Sequence, residues 1–270
     1  MPNHGISPFA PAPIVPSLGI MAETPSAGSK SAPAGAIRCG VCGTESRHPP
    51  FRPPPPEQAP DLDLRPGEPV RSSMARWLQQ CPACGYAAPD ITRAHPAAAE
   101  AVRAAPFRAL LQDSTTPPLA RRFLAWALVL EETGALHAAA EATLHAAWVA
   151  DDLDRPELAR SWRLDSVALW RGGPPLDAEQ TVRIVDALRR AEAWDDAAAT
   201  AEQLARAEPA EVVAQVIALE RRLIEAQDCG RHTVASALPP PSRRPHVTHQ
   251  KIAARGEGLW AKLKRLLGGG

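Results

Sequence analysis

The sequence predicts a mainly α protein in which a small cysteine-held module precedes antiparallel helical hairpins, with disordered tails at both ends. Three observations predict it. Four of the five cysteines fall in two like clusters, Cys39-Gly-Val-Cys42-Gly43 and Cys81-Pro-Ala-Cys84-Gly85. Prolines crowd residues 49–69, which hold nine of the 30, whereas 119–229 contain only Pro156, Pro174, Pro175 and Pro209. In that proline-poor stretch alanine is abundant and apolar residues recur at the helical period. Alanine loses no side-chain entropy on entering a helix, and proline breaks helix interiors, so regular helices belong there.

The elements follow in order. Residues 1–36 are rich in Pro, Ala, Ser and Gly and have too little bulky apolar surface to offset ordering entropy, so they read as disordered. Residues 37–95 carry the paired cysteines around a long proline-rich insert, and Ser73–Gln80 reads as a strand entering the second cluster. One or two short helical turns are expected over 96–117, with Pro96 at a helix start and Pro106 as an interruption. Helices are then expected at 119–133, 135–151, 155–172, 177–192, 195–207 and 209–228. Gly134 closes the first of these. Pro156 opens the third, Gly172-Gly173-Pro174-Pro175 ends it, and Pro209 starts the last. Residues 230–250 return to linker composition, and Leu259–Leu267 form a short amphipathic segment before three glycines.

The cysteine spacing points to a metal. Two intervening residues let both thiolates of a pair reach one ion, and the following glycine permits a tight turn whose amides face the sulfurs. Two such knuckles, Cys39 with Cys42 and Cys81 with Cys84, supply a closed tetrahedral sulfur shell that suits one structural Zn2+, as in a zinc ribbon. The 38 residues between the knuckles are a long insertion, but loop length adds closure cost only slowly. The alternatives are disulfides, a redox pair, or replacement of one cysteine by His48 or His95. The first suits an oxidising compartment, the second lacks a surrounding βαβ pattern, and the histidines read as surface loop residues. Cys229 has no partner at metal spacing and reads as a helix-end thiol.

The helical stretch carries the spacing of tetratricopeptide repeats, helix–turn–helix units of about 34 residues. Ile184, Leu188, Trp194, Ala197, Ala201, Leu204 and Pro209 fall where the pattern wants bulky, small and terminating residues, although Val185 stands where a small residue is usual. A weaker copy runs through Phe123, Trp126, Ala127, Leu130, Leu136, Ala139 and Ala146. Leu136 and Trp194 lie 58 residues apart, so the repeats are degenerate or interrupted, and a simple packed helical core is the alternative. Tryptophans 126, 148, 162, 170 and 194 read as core.

With both modules placed, the chain resembles an uncharacterised bacterial domain-of-unknown-function family that joins paired CxxC knuckles to TPR-like helices. The residues that carry the resemblance are Cys39–Gly43, Pro60-Asp-Leu-Asp-Leu-Arg-Pro66, Arg71-Ser-Ser-Met74 and Trp77-Leu-Gln-Gln-Cys81-Pro-Ala-Cys84-Gly85-Tyr86. It spans about residues 37–229, is specific near the second knuckle and is weak in the helices. It implies metal binding and brings no activity with it. Asp61 and Asp63 are candidate catalytic carboxylates, but with Arg65 they read better as residues that fix the inter-knuckle loop.

The net charge of zero hides a division. Residues 119–229 hold 12 basic and 20 acidic residues, whereas 230–270 hold eight basic residues and only Glu257. No run of about 18 apolar residues is present to span a membrane. The first 20 residues carry no Lys or Arg and do not read as a secretory signal, and Met21 is an equally plausible start, so the cytoplasm is expected. The main functional expectation is a non-enzymatic protein–protein interaction or adaptor protein, whose acidic helical surface suits basic protein or peptide partners. No P-loop, GxGxxG, HExxH or GxSxG is present. Nucleic-acid binding through Arg243, Arg244, Lys251, Arg255, Lys262, Lys264 and Arg265 is the second reading, and a thiol redox switch the third. The tail alternates Leu259, Trp260, Leu263, Leu266 and Leu267 with Lys262, Lys264 and Arg265. That pattern suits an anionic membrane or a return onto the chain's own acidic body.

Overall fold

The computed structural model describes residues 35–238, and these are mainly helical. The disordered reading of residues 1–36 lies outside the described residues up to 34 and is corrected at its end, where Ala36 pairs in a strand; the amphipathic reading of Leu259–Leu267 and the basic residues from Arg243 to Arg265 also lie outside. In order come β1 (Ala36–Arg38), β2 (Glu45–Arg47), a 3-10 helix (Arg71–Arg76), β3 (Gln79–Gln80) and β4 (Ala87–Ala88). The helices follow: α1 (Ala98–Ala101), α2 (Ala105–Gln112), α3 (Pro118–Glu131), α4 (Leu136–Asp152), α5 (Pro156–Gly172), α6 (Ala178–Arg190), α7 (Trp194–Arg206), α8 (Glu211–Glu225) and α9 (Val234–Ala237). The six long helices lie within three residues of their expected bounds. Among the described residues no helix is long and apolar enough to cross a membrane.

Local chemistry explains the boundaries. Asp177 and Gln180 form a reciprocal capping box at the start of α6, with bonds of 2.7 and 3.1 Å. Five helices end on a residue of positive φ; α7 does so at Glu208, where Pro209 offers no amide, and the other four turn on Gly134, Asp154, Glu192 and Gln227. After each of these, the next amide reaches back to close the turn, as Ala135 to Leu130, Arg155 to Ala150, Ala193 to Leu188 and Asp228 to Leu223 at 2.9–3.0 Å. These are Schellman closures, which satisfy the orphan carbonyls of a helix end. Glycine is visible in sequence as such a stop, but Asp154, Glu192 and Gln227 carry no comparable signal.

Two local expectations are corrected. Pro106 does not interrupt a helix. It sits in the first turn of α2, where its missing amide proton would have had no helical partner. Ser73–Gln80 is not a single strand, since Arg71–Arg76 form a 3-10 helix and only Gln79–Gln80 pair. Ser73 drives this locally: its hydroxyl donates to the Val70 carbonyl at 2.6 Å and accepts from Trp77 Nε1 at 2.9 Å. The turn also buries Met74, which a strand facing solvent would not.

The core forms three clusters. The largest draws on α3–α8 and takes in Leu62, Met74 and Leu78 from the inter-knuckle stretch, so that stretch is packed structure and not a free loop. Trp148 and Trp170 are among its fully buried side chains. A second cluster joins the region around the second knuckle to α1, α2 and α3. A small third cluster lies between α3 and α4. The residues just after α8 are also tied down. The Leu62 amide donates to the His232 carbonyl at 3.0 Å, and the Val234 amide to the Pro60 carbonyl at 2.9 Å.

One buried ion group holds α6 against α8. Arg189 donates to Glu220 Oε2 at 2.7 Å and to Asp186 Oδ1 at 2.5 Å, and it caps the chain after α8 through the Asp228 and Gly230 carbonyls. All three side chains are out of contact with solvent. Burial raises the pKa of both Asp186 and Glu220, reinforced at Asp186 by Asp63 and at Glu220 by Asp186, against the opposing pull of Arg189.

The αL closure at Asp154 gives a test. Its side chain is exposed and its φ of 52° is strained for any residue with a Cβ. Asp154→Gly should stabilise the fold by about 0.5–1 kcal/mol, which raises the melting temperature by roughly 1–4 °C, read by calorimetry. A fall in melting temperature would mean that the strained turn is compensated by contacts of the Asp side chain.

Candidate metal centre

Each cysteine pair sits at the tip of a short antiparallel hairpin. β1 and β2 pair Ala36 with Arg47 and Arg38 with Glu45 around the first knuckle, and β3 and β4 pair Gln80 with Ala87 around the second. The same backbone device turns both tips. The Gly43 amide donates to the Cys39 carbonyl and the Gly85 amide to the Cys81 carbonyl, while Cys39 and Cys81 donate to Thr44 and Tyr86 at 2.9 and 2.8 Å. Gly43 and Gly85 adopt φ of 74° and 77°, a conformation that a side chain resists. The expected role of glycine after the second cysteine is therefore met at both tips.

The four sulfurs converge, all within 4.8 Å of one another. Cys39 Sγ lies 3.9 Å from Cys84 Sγ, and Cys42 Sγ lies 3.5 Å from Cys81 Sγ. A tetrahedral ion with bonds of about 2.3 Å to sulfur needs edges of about 3.8 Å, so the donor set fits a four-coordinate metal. Backbone groups also face the sulfurs: those of Cys42 and Val41 bond Cys39, that of Thr44 bonds Cys42, and that of Tyr86 bonds Cys84. These are the contacts that disperse thiolate charge around a metal. Desolvation pushes the Cys39 and Cys84 thiols up, whereas the Thr44 hydroxyl and amide hold exposed Cys42 down at about 6. A bound cation would hold the coordinating thiols deprotonated, its charge offsetting the desolvation that otherwise disfavours the thiolates of Cys39 and Cys84.

His48 and His95 are engaged elsewhere. His48 Nε2 pairs with Ser46 Oγ at 3.1 Å, and the His95 ring stands edge-on to Trp126. Cys229 is exposed just beyond the end of α8.

The site is built into the helical body. Gly40 donates to the Ile91 carbonyl at 2.8 Å, and a Cβ there would come within 2.7 Å of the backbone at Thr92 and Ala94. The first knuckle thus lies directly on the loop after the second. Tyr86 is buried, donates to the Arg93 carbonyl at 2.9 Å, and meets Trp126 of α3 edge-on. A Cβ on Gly85 would fall 2.3 Å from a Leu111 methyl of α2. Cys39 and Cys81 share their cluster with Phe107, Ala125 and Val129, so the four-cysteine site and the first helices are one packed unit.

Asp61, Asp63 and Arg65 do fix the inter-knuckle segment. Asp63 is fully buried and accepts from Trp148 Nε1 at 2.6 Å, from the Arg65 amide at 3.1 Å and from Arg190 at 3.4 Å. Burial alone would raise its pKa, but Arg190 and Arg163 prevail and hold it below the usual carboxylate range. Arg65 reaches the Trp148 carbonyl at 3.4 Å and pairs with Asp152, and Asp61 accepts from Arg71 at 2.5 Å. Asp151 extends the group, bonding Arg163 at 2.5 Å and Arg190 at 2.7 Å. Every partner of Asp63 except Arg65 lies 85 or more positions away, beyond the reach of sequence spacing.

A second feature has no sequence motif. An open groove of about 540 Å³ runs between α2, α3, α4 and α5. Leu110, Leu124, Leu128 and Leu169 make its walls apolar, Glu131 and Asp165 line it, and no lysine or arginine does. Among the described residues neither carboxylate belongs to an ion pair. Desolvation raises the pKa of both, and at Glu131 the neighbouring Glu132 and Asp165 add to it.

No protein-family model, curated protein or solved structure matches this chain, so the chemistry of its sites carries the functional argument.

The Asp63 hub yields a prediction. Asp63→Ala leaves Trp148 Nε1 and Arg190 without their acceptor and should cost about 3–5 kcal/mol in urea unfolding, the cost expected for breaking a buried charge pair. Because the folded pKa lies below that of an unfolded aspartate, the contribution is complete above about pH 4 and is lost as pH falls through the folded value. A loss under 1 kcal/mol at pH 7, or one unchanged at pH 3, would contradict this account.

Proposed function

We propose that the chain binds one structural Zn2+ through Cys39, Cys42, Cys81 and Cys84, and that it acts by binding other proteins and not by turnover. Four sulfurs at tetrahedral spacing favour zinc over harder ions, which prefer oxygen, and they leave no open position for a substrate. Zinc held there would tie two hairpins that share almost no other regular structure. Free thiols as ligands suit a reducing compartment such as the cytoplasm.

The observation that carries the binding role is the acid-lined apolar groove between α2 and α5. Its shape suits an extended or helical segment, and its unpaired carboxylates favour a basic one. We read α3–α8 as TPR-like hairpins, an arrangement that commonly presents such surfaces. This is an adaptor role with a basic peptide or protein as partner.

Two measurements test the proposal. Metal analysis with thiol titration should find one zinc per chain, with Cys229 reactive at once and the four ligands only after chelation. A metal-free chain with its cysteines oxidised in pairs would favour a redox switch instead. In a peptide array against the full chain carrying Leu263→Asp and Leu266→Asp, which keep its own C-terminal apolar segment out of the groove, basic apolar sequences should bind with salt sensitivity, and adding Glu131→Lys with Asp165→Lys should weaken binding by about tenfold. Equal binding of acidic sequences, or none of either, would refute the adaptor reading.

A further inference from the structure

We propose that the groove between α2 and α5 is occupied in the free chain by residues 259–267 of the same chain, so that the protein competes with its own partners. This rests on the binding role of the groove proposed above and adds its regulation.

The groove and the segment match in two independent ways. Leu110, Leu124, Leu128 and Leu169 offer an apolar floor that the described residues leave open, and Leu259, Trp260, Leu263, Leu266 and Leu267 recur at the three- and four-residue spacing of one helical face. The rim supplies the second match. Glu131 and Asp165 have no cation in the groove, and the segment carries Lys262, Lys264 and Arg265 between its apolar residues. Desolvation of the two carboxyls with no cation beside them is a cost that a docked ammonium would relieve. Other grooves among the described residues carry cations of their own: that against α8 includes Arg221, that beside α7 Arg171, that around Phe51 Arg76, and that beside the second knuckle Arg121 and Arg122.

Reach is sufficient. The described chain ends at Leu238, and residues 239–258 supply 20 residues before the segment begins. At about 3.3 Å each they span up to ~65 Å, more than the width of roughly 45 Å expected for a body of some 200 residues. Tethering at that length gives the segment an effective concentration in the millimolar range, so even weak docking would hold the groove against a free peptide.

The test uses a fluorescent peptide of residues 256–268, titrated into the full chain and into full-chain variants. In Leu263→Asp with Leu266→Asp the tethered copy can no longer dock, and the peptide should bind about tenfold or more tighter than to the unaltered chain. Adding Glu131→Lys and Asp165→Lys to that variant should abolish the gain, and a peptide with Lys262→Glu and Lys264→Glu should restore it. Circular dichroism of each variant checks that the fold is kept. Equal affinity for the unaltered chain and the tail variant, or no binding to either, would overturn the proposal. Vesicles containing phosphatidylserine that take up the unaltered chain and the groove variant equally would also overturn it, by assigning the segment to a membrane surface. A peptide that docks as predicted in a chain that binds no basic sequences from the array would leave self-occupancy standing and remove only the adaptor reading.

Discussion

Asp63 is a carboxylate with no access to water, and it stays ionised because two arginines and an indole N–H surround it. Those partners come from α4, α5 and α6, while Asp63 itself comes from the segment between the knuckles. The bond to Trp148 fixes the inter-knuckle chain on α4. Arg190 and Arg163 then converge on Asp151, which ties α4 to α5 and α6. Burying such a group is expensive, and the network is worth most as a device of specificity: an alternative register of the loop would strand a charge in the core. The leucines on either side of Asp63 are placed by the same constraint. Leu62 is drawn into the main core, and Leu64 takes a φ of 64° as the turn closes on the Asp61 carbonyl.

The four-cysteine site depends on that anchoring. A 38-residue insertion between two knuckles would otherwise leave the second pair of thiols free to wander. With Leu62, Met74 and Leu78 packed in the core, the chain entering β3 starts from a fixed point, and Gly40 meets the loop after β4 with no room for a side chain. The four sulfurs are thus brought together by packing as well as by their own spacing. Because Cys39 and Cys81 share a cluster with Phe107 and α3, the four-cysteine site and the helices support each other.

The charge division of the chain acquires a location in the structure. Four of the acidic residues between 119 and 229 are engaged internally with four arginines of the same stretch, Asp151 with Arg163 and Arg190, Glu141 with Arg183, and Asp186 and Glu220 with Arg189, so the excess lies among the other acidic residues. What remains free for recognition is smaller than the count implies, and Glu131 and Asp165 stand out because they border an apolar groove with no cation. Net charge alone would have spread the binding surface over the whole body.

The sequence by itself determined whatever depends on neighbours along the chain. Six helices were legible because apolar periodicity and Gly or Pro stops act within a few residues. The donor set was legible because a metal demands two thiols at short spacing followed by a tight turn, and the Gly43 and Gly85 conformations meet that demand. Ser73–Gln80 departs from the strand expected before the second knuckle because that expectation takes no account of the competing bonds of the Ser73 hydroxyl. Only the tertiary structure decided that Asp63 meets Trp148 and Arg190, that the residues after α8 pair with Pro60 and Leu62, and that Glu131 and Asp165 face one groove. These contacts join residues from 34 positions apart, as Glu131 and Asp165, to 174, as Pro60 and Val234. They follow from how the helices stack, which no local pattern encodes.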